Sequence, residues 1–143
     1  MATSYHLRVV TPERVIMDQE TTEIIVRTTE GEIGILAHHM QIISPLVPHI
    51  MTIYDVDGQT TQLTVAGGFI EVRDEGVTVL ADAAETADQI DVARAQRARE
   101  RALEMINGAH GQTEVDLARA QRAVTRAENR LKLAGLDLQN LTH

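Results

Sequence analysis

The side chains best placed to do chemistry in this sequence are arginines, and their spacing concentrates them. Arg94, Arg97 and Arg101 follow one another at three and four residues, beginning inside Ile90-Asp91-Val92-Ala93-Arg94-Ala95. On a helix that spacing makes one stripe. Arg119, Arg122, Arg126 and Arg130 repeat the pattern further on. Guanidinium forks match phosphate oxygens bidentately, so two such rows describe a phosphate or nucleotide clamp. The same residues can equally form a solvated face, laced by Glu100, Glu104 and Glu128 at i,i+3 and i,i+4. Spacing alone leaves both readings open. If the two helices close as an antiparallel hairpin, the arginine rows approach one another and need acids or a polyanion between them. Arg99 falls on a different stripe from Arg94 and Arg101.

Other constellations carry less. His38-His39, with His49 nearby, is weak as a metal site, because adjacent residues on a strand point to opposite faces and could share an ion only from a loop. The acids are scattered over strands and turns, with no Ser-His-Asp or paired-carboxylate arrangement, so no catalytic group is assigned. Gly67-Gly68 reads as a strand bulge or a close backbone approach, since neither a helix nor a Lys-Ser/Thr pair follows.

The elements that must position these arginines divide the chain in two. Residues 1–87 carry 13 acids and 4 bases, a net of −9, whereas residues 88–143 carry 8 acids and 9 bases, a net of +1. The first part reads as all-β. Strand patterns cover Tyr5–Thr11, Thr22–Thr28, Met51–Val56, Gln59–Val65, Phe69–Arg73 and Val77–Leu80, with turns at Asp57-Gly58 and Asp74-Glu75-Gly76. Short strands at this spacing predict a sandwich or barrel. The second part reads as two helices. Asp88 is the expected cap of the first, which carries Ala95, Ala98, Ala102 and Met105 at 3-4-3 spacing and stops at Asn107-Gly108. Thr113-x-x-Asp116 opens the second, whose Leu117, Ala120, Val124, Ala127, Leu131, Ala134 and Leu138 keep a heptad seam. The linker allows only an antiparallel hairpin.

Composition narrows the function classes. With no cysteine in 143 residues, disulfide scaffolds, cysteine-ligated zinc and thiol nucleophiles are excluded. Three aromatics (Tyr5, Tyr54 and Phe69) leave the core aliphatic and offer no stacking platform, and the chain is acidic, so nucleic acid is not an expected partner. No apolar run approaches the ~20 residues of a spanning helix, and the expectation is a soluble chain that meets a membrane only through its partners.

Several ordered segments resemble the ε subunit of bacterial F-type, proton-translocating ATP synthases. They are Tyr5-His6-Leu7-Arg8-Val9-Val10-Thr11-Pro12-Glu13, Thr29-Glu30-Gly31-Glu32-Ile33-Gly34-Ile35-Leu36, Val65-Ala66-Gly67-Gly68-Phe69-Ile70-Glu71-Val72 and Val77-Thr78-Val79-Leu80-Ala81-Asp82. Ala37 and Met40 depart from prolines usual in that family, and His49 replaces a usual glycine. The resemblance implies an α+β chain: an antiparallel β-sandwich of two five-stranded sheets over 1–87, then an antiparallel helical hairpin over 88–143. It implies a non-catalytic regulatory subunit that binds the γ subunit and the membrane c-ring, the latter through Glu30, Gly31 and Glu32. The hairpin, when extended, would meet the catalytic α and β subunits and inhibit ATP hydrolysis. It implies a place at the cytoplasmic face of the cell membrane, peripheral, within a complex coupling proton flow to ATP synthesis. Some members bind regulatory ATP on the folded hairpin, and the matching positions here are Glu85, Ile90, Asp91, Arg94, Ala95, Arg101, Arg126 and Arg130. No metal is required by the sequence. Two rivals remain: a free-standing ATP-sensing module, and a basic hairpin that recognises acidic protein segments and ignores nucleotide.

Overall fold

Period-two alternation builds the first half of the chain. In the computed structural model, which describes residues 3–108 and 113–135, the chain divides into two units, Met1–Ala84 and Glu85–His143. β1 (Tyr5–Val10) turns Leu7 and Val9 inward, and β2 (Val15–Thr28) turns Ile24 and Val26 inward. β3 (Gly31–Leu36) adds Ile35, and β4 (Ile42–Leu46) adds Leu46. Met51 and Ile53 of β5 (His49–Asp55) and Leu63 and Val65 of β6 (Thr60–Val65) face the same core. Ile70 and Val72 of β7 (Gly68–Arg73), with Val77, Val79 and Ala81 of β8 (Gly76–Ala81), complete it. The two-residue β9 (Ala84–Glu85) ends the series.

The strands form one hydrogen-bonded path, β1-β8-β7-β4-β2-β5-β6-β9, with β3 also on β2 and β1 closing back onto β2. The expected pair of five-stranded sheets is recovered by counting β2 twice. Its first half pairs with β1 in the layer of β8, β7 and β4; its second half pairs with β3 and β5 in the layer of β6 and β9. The β2–β5 register slips between Thr21 and Glu23, where β2 passes from pairing with β1 to pairing with β3. The sandwich is not wholly antiparallel, because β1 and β8 run parallel. Gly68 lets two strands meet: with φ +133°, a Cβ there would lie 2.0 Å from the Leu80 carbonyl oxygen. The close-approach reading of Gly67-Gly68 is therefore the physical one.

The second unit begins differently from the sequence expectation. Asp88 does not cap the long helix. It lies in a short 3₁₀ turn over Ala87–Gln89, whose capping box is made by Thr86 and Gln89. α1 (Val92–Asn107) is capped by Asp91, whose Oδ1 accepts the Arg94 backbone N–H at 3.0 Å. Asp91 wins because it stands one residue before the helical run, the position from which a carboxylate reaches the first free N–H groups. α2 (Glu114–Leu133) opens as expected, with the Asp116 N–H donating to Thr113 Oγ1 at 3.2 Å. Ala95 and Ala102 are buried in α1, and Ala120, Ala127 and Leu131 in α2, while Met105 is exposed. The seam is thus alanine at heptad spacing, which brings the axes close. Leu138 and most of the linker lie outside the described residues.

Candidate functional site

The candidate site belongs to the second unit, and its geometry follows from the heptads of the two helices. Seam positions in α1 are Ala95, Ala98 and Ala102; in α2 they are Leu117, Ala120, Val124, Ala127 and Leu131. Positions just before and just after a seam pair flank the contact on opposite sides, and cross-helix salt bridges form there. Arg94 and Arg101 stand one residue before Ala95 and Ala102, and Arg130 one before Leu131. Arg99 stands one after Ala98, and Glu128 one after Ala127.

The after-seam flank is paired within the hairpin. Arg99 Nε donates to Glu128 Oε2 at 3.1 Å, with the Arg99 side chain 11% exposed and that of Glu128 29%. Arg99 thus lies on a different flank from Arg94 and Arg101, as its spacing implies, and faces the second helix. One expectation is corrected: Glu128 reaches across the hairpin where the sequence suggested partners along its own helix. Sequence carried a signal for this contact, the after-seam position of both residues, which i,i+3 and i,i+4 spacing along one helix does not weigh.

The before-seam flank is cationic. Here two of the expected nucleotide-binding residues meet: Arg130 Nε donates to Glu85 Oε1 at 2.7 Å, and its Nη2 lies 3.5 Å from Oε2. They are 45 positions apart in sequence, and both side chains are partly buried, 20% and 30% exposed. Arg126, one turn earlier on α2, is half-buried and its side chain makes no hydrogen bond or ion pair among the described residues. Arg94 and Arg101 are exposed, and Ala95 is fully buried beneath them. Ile90, half-buried, closes the 3₁₀ turn ahead of α1. Asp91 Oδ1 is committed to the helix cap. The two arginine rows therefore do not collide. Glu128 neutralises one flank, and Glu85 neutralises one arginine of the other. What remains is Arg94, Arg101 and Arg126, whose side chains make no hydrogen bond or ion pair among the described residues.

The remaining expectations lie in the first unit. Glu30, Gly31 and Glu32 form the β2–β3 turn, where Gly31 takes φ +123°. Thr28 Oγ1 holds that turn by donating to the Gly31 carbonyl at 3.0 Å and accepting the Glu30 N–H at 3.1 Å. Glu30 and Glu32 are exposed, the latter 3.7 Å from Arg27. His38 adopts φ +64° in a loop, while His49 is buried on β5 with Nδ1 donating to the Val47 carbonyl at 2.7 Å. Among the described residues no three His, Asp or Glu side chains are arranged to hold a metal ion, and no helix is long and apolar enough to cross a membrane.

The two parts of the chain each match a family model. The family model for the ATP synthase Delta/Epsilon chain, beta-sandwich domain, matches residues 4–87, and that for the long alpha-helix domain of the same chain matches residues 88–135. Similar proteins include the ATP synthase epsilon chain of Halalkalibacterium halodurans, 41% identical over 131 residues, which are 91% of this chain and 96% of that one. The epsilon chain of Bacillus subtilis is 43% identical over 107 residues, 75% of this chain and 80% of that one. Among solved structures, a chain of the mitochondrial ATP synthase of Euglena gracilis, from an assembly of OSCP, F1 and c-ring, is similar with a TM-score of 0.73 and 25% identity. That match covers 90% of this chain and 80% of the other. A chain of the Tetrahymena thermophila central stalk and c-ring shares the fold, with a TM-score of 0.64, 14% identity and coverage of 93% and 98%.

Proposed function

The chain belongs to the delta/epsilon chain family of ATP synthases, as an epsilon chain of the central stalk, and from that premise we propose a non-catalytic regulator whose hairpin closes around ATP. The sandwich unit is the assembly module. It docks on the γ subunit and meets the c-ring through the turn at Glu30, Gly31 and Glu32, at the cytoplasmic face of the membrane. The hairpin is the brake: when open it extends along γ, and its bases meet acidic segments of the catalytic subunits and inhibit hydrolysis.

The observation that carries the nucleotide reading is the Glu85–Arg130 contact. Two residues from distant parts of the sequence, both in the expected ligand set, reach the same place only because the hairpin is closed. Arg126 lies one turn from Arg130, and Arg94 and Arg101 stand on the same flank of the seam. A polyphosphate there neutralises arginines from both helices at once. A ligand touching both helices binds the closed form, and its differential affinity sets the shift. At a hundred times its dissociation constant a ligand adds ~2.7 kcal/mol to the state it binds. Falling ATP then releases the helices and stops hydrolysis.

Calorimetry of the isolated chain with ATP and ADP tests this directly. Losing one charge-assisted phosphate contact costs ~1.5–3 kcal/mol, roughly ten- to a hundredfold in affinity. Arg126→Ala is expected to weaken ATP by that factor. Lys132→Ala, an exposed cation in the last turn of α2, is expected to change affinity less than threefold. Equal losses at both positions would mean diffuse electrostatics and no site.

A further inference from the structure

We propose that Arg99 and Glu128 form a clasp, on the flank of the seam opposite the nucleotide arginines, that sets how far the hairpin is closed before any ATP arrives. The inference rests on the reading of the hairpin as an element that opens and closes, and it concerns the ligand-free state. The pair joins α1 to α2 through a 3.1 Å contact between residues 29 positions apart, with Arg99 almost wholly buried. Around it the interface is mostly alanine: Ala95 and Ala102 in one helix, Ala120 and Ala127 in the other. Each alanine buries little apolar area, so the hydrophobic term is small. An ion pair shielded from solvent is screened weakly by salt, and in the closed form either charge left without its partner is costly.

The two flanks thereby do different work. On the after-seam flank cation faces anion, so closing needs no ligand. On the before-seam flank Arg94, Arg101 and Arg130 are set against one acid in contact with them, Glu85, with Asp116 away in the first turn of α2, and closing there gains from an added anion. ATP acts on a hairpin that the clasp has already biased toward closure. Its apparent affinity is the intrinsic affinity scaled by the closed fraction.

The test uses the full chain, which has no cysteine, labelled with fluorophores at cysteines introduced for the exposed Glu100 and Gln121. The closed-to-open ratio is read from the distance distribution without nucleotide and through an ATP titration. Arg99→Glu and Glu128→Arg each place like charges across the seam, and each is expected to lower the ligand-free ratio about tenfold or more. The R99E/E128R double variant, with the pair reversed, is expected to return to within about threefold of the parent, which simple damage to packing would not allow. ATP is expected to close the single variants at a correspondingly higher concentration. If both single reversals leave the ligand-free ratio unchanged, or the double variant stays open, the clasp is overturned. If the reversals open the hairpin and the double closes it while ATP shifts no variant, the clasp stands and the nucleotide reading fails.

Discussion

His49 is the residue whose surroundings conflict most with its chemistry. Its Nδ1–H is held by the Val47 carbonyl, and its Nε2 is buried with no partner among the described residues. Burial holds the imidazole below its ordinary value, with nearby Arg27 acting the same way and the Val47 carbonyl and Glu32 opposing. The folded chain thus protonates His49 less readily than the unfolded chain, which does so at about pH 6.5. The unfolded state then binds more protons, so this contribution to stability is complete above that pH and falls as pH drops through it. Thermal unfolding at pH 7.5 and 5.5 checks this: the parent is expected to lose more stability between the two than His49→Gln. A larger loss in the variant would contradict the assignment. The same arithmetic applies to Arg130. Glu85 occupies it without ligand, so the phosphate contact at Arg130 is an exchange of one anion for another, and Arg126 is expected to respond more strongly to truncation.

At the scale of elements, two glycines and two helices separate effects that sequence alone would merge. Gly58 has φ +79° with open space around it, whereas Gly68 has φ +133° with the Leu80 carbonyl in the way. Gly58→Ala is expected to cost about 1–2 kcal/mol, the ordinary left-handed penalty. Gly68→Ala combines backbone strain with a clash against backbone and is expected to cost ~3 kcal/mol or more. Urea denaturation of both variants gives the ranking, and equal costs would mean that β7 and β8 part easily at Gly68 and Leu80. In the hairpin, Ala120 is 2% exposed. Ala120→Leu overfills that position by an amount that typically costs ~1–3 kcal/mol, so the labelled hairpin is expected to open without nucleotide.

For the whole molecule, the division of labour depends on each unit holding together alone. Every member of the main apolar cluster, from Leu7 to Ala84, lies in the first unit. A chain ended after Ala87 is therefore expected to fold, to co-purify with γ and to leave the complex with raised ATP hydrolysis. Failure to bind γ would place the assembly surface elsewhere; binding without raised hydrolysis would remove the brake from the hairpin. Co-purification of the intact chain also separates a rotary-complex subunit from a free-standing ATP sensor.

Period-two alternation marked β1, β5, β6, β7 and β8, and heptad spacing marked the alanines that turned out buried, because both signals are local and repeat many times. Thr113 was legible as a cap for the same reason: the capping hydrogen bond spans three residues. β4 was not legible. It contains Pro45, which lowers any strand reading, and it is tolerated because β4 ladders along its length with β7 alone, meeting β2 only at Leu46. Nor could alternation reveal that β2 serves two layers, since the switch is a register slip set by its neighbours. At the site, residue type and spacing named the arginines, and family likeness named Glu85. Which acid meets which arginine was decided only by tertiary structure. A guanidinium pairs with the carboxylate that packing brings within about 3 Å, and Arg99–Glu128 and Arg130–Glu85 span 29 and 45 positions that no local pattern connects.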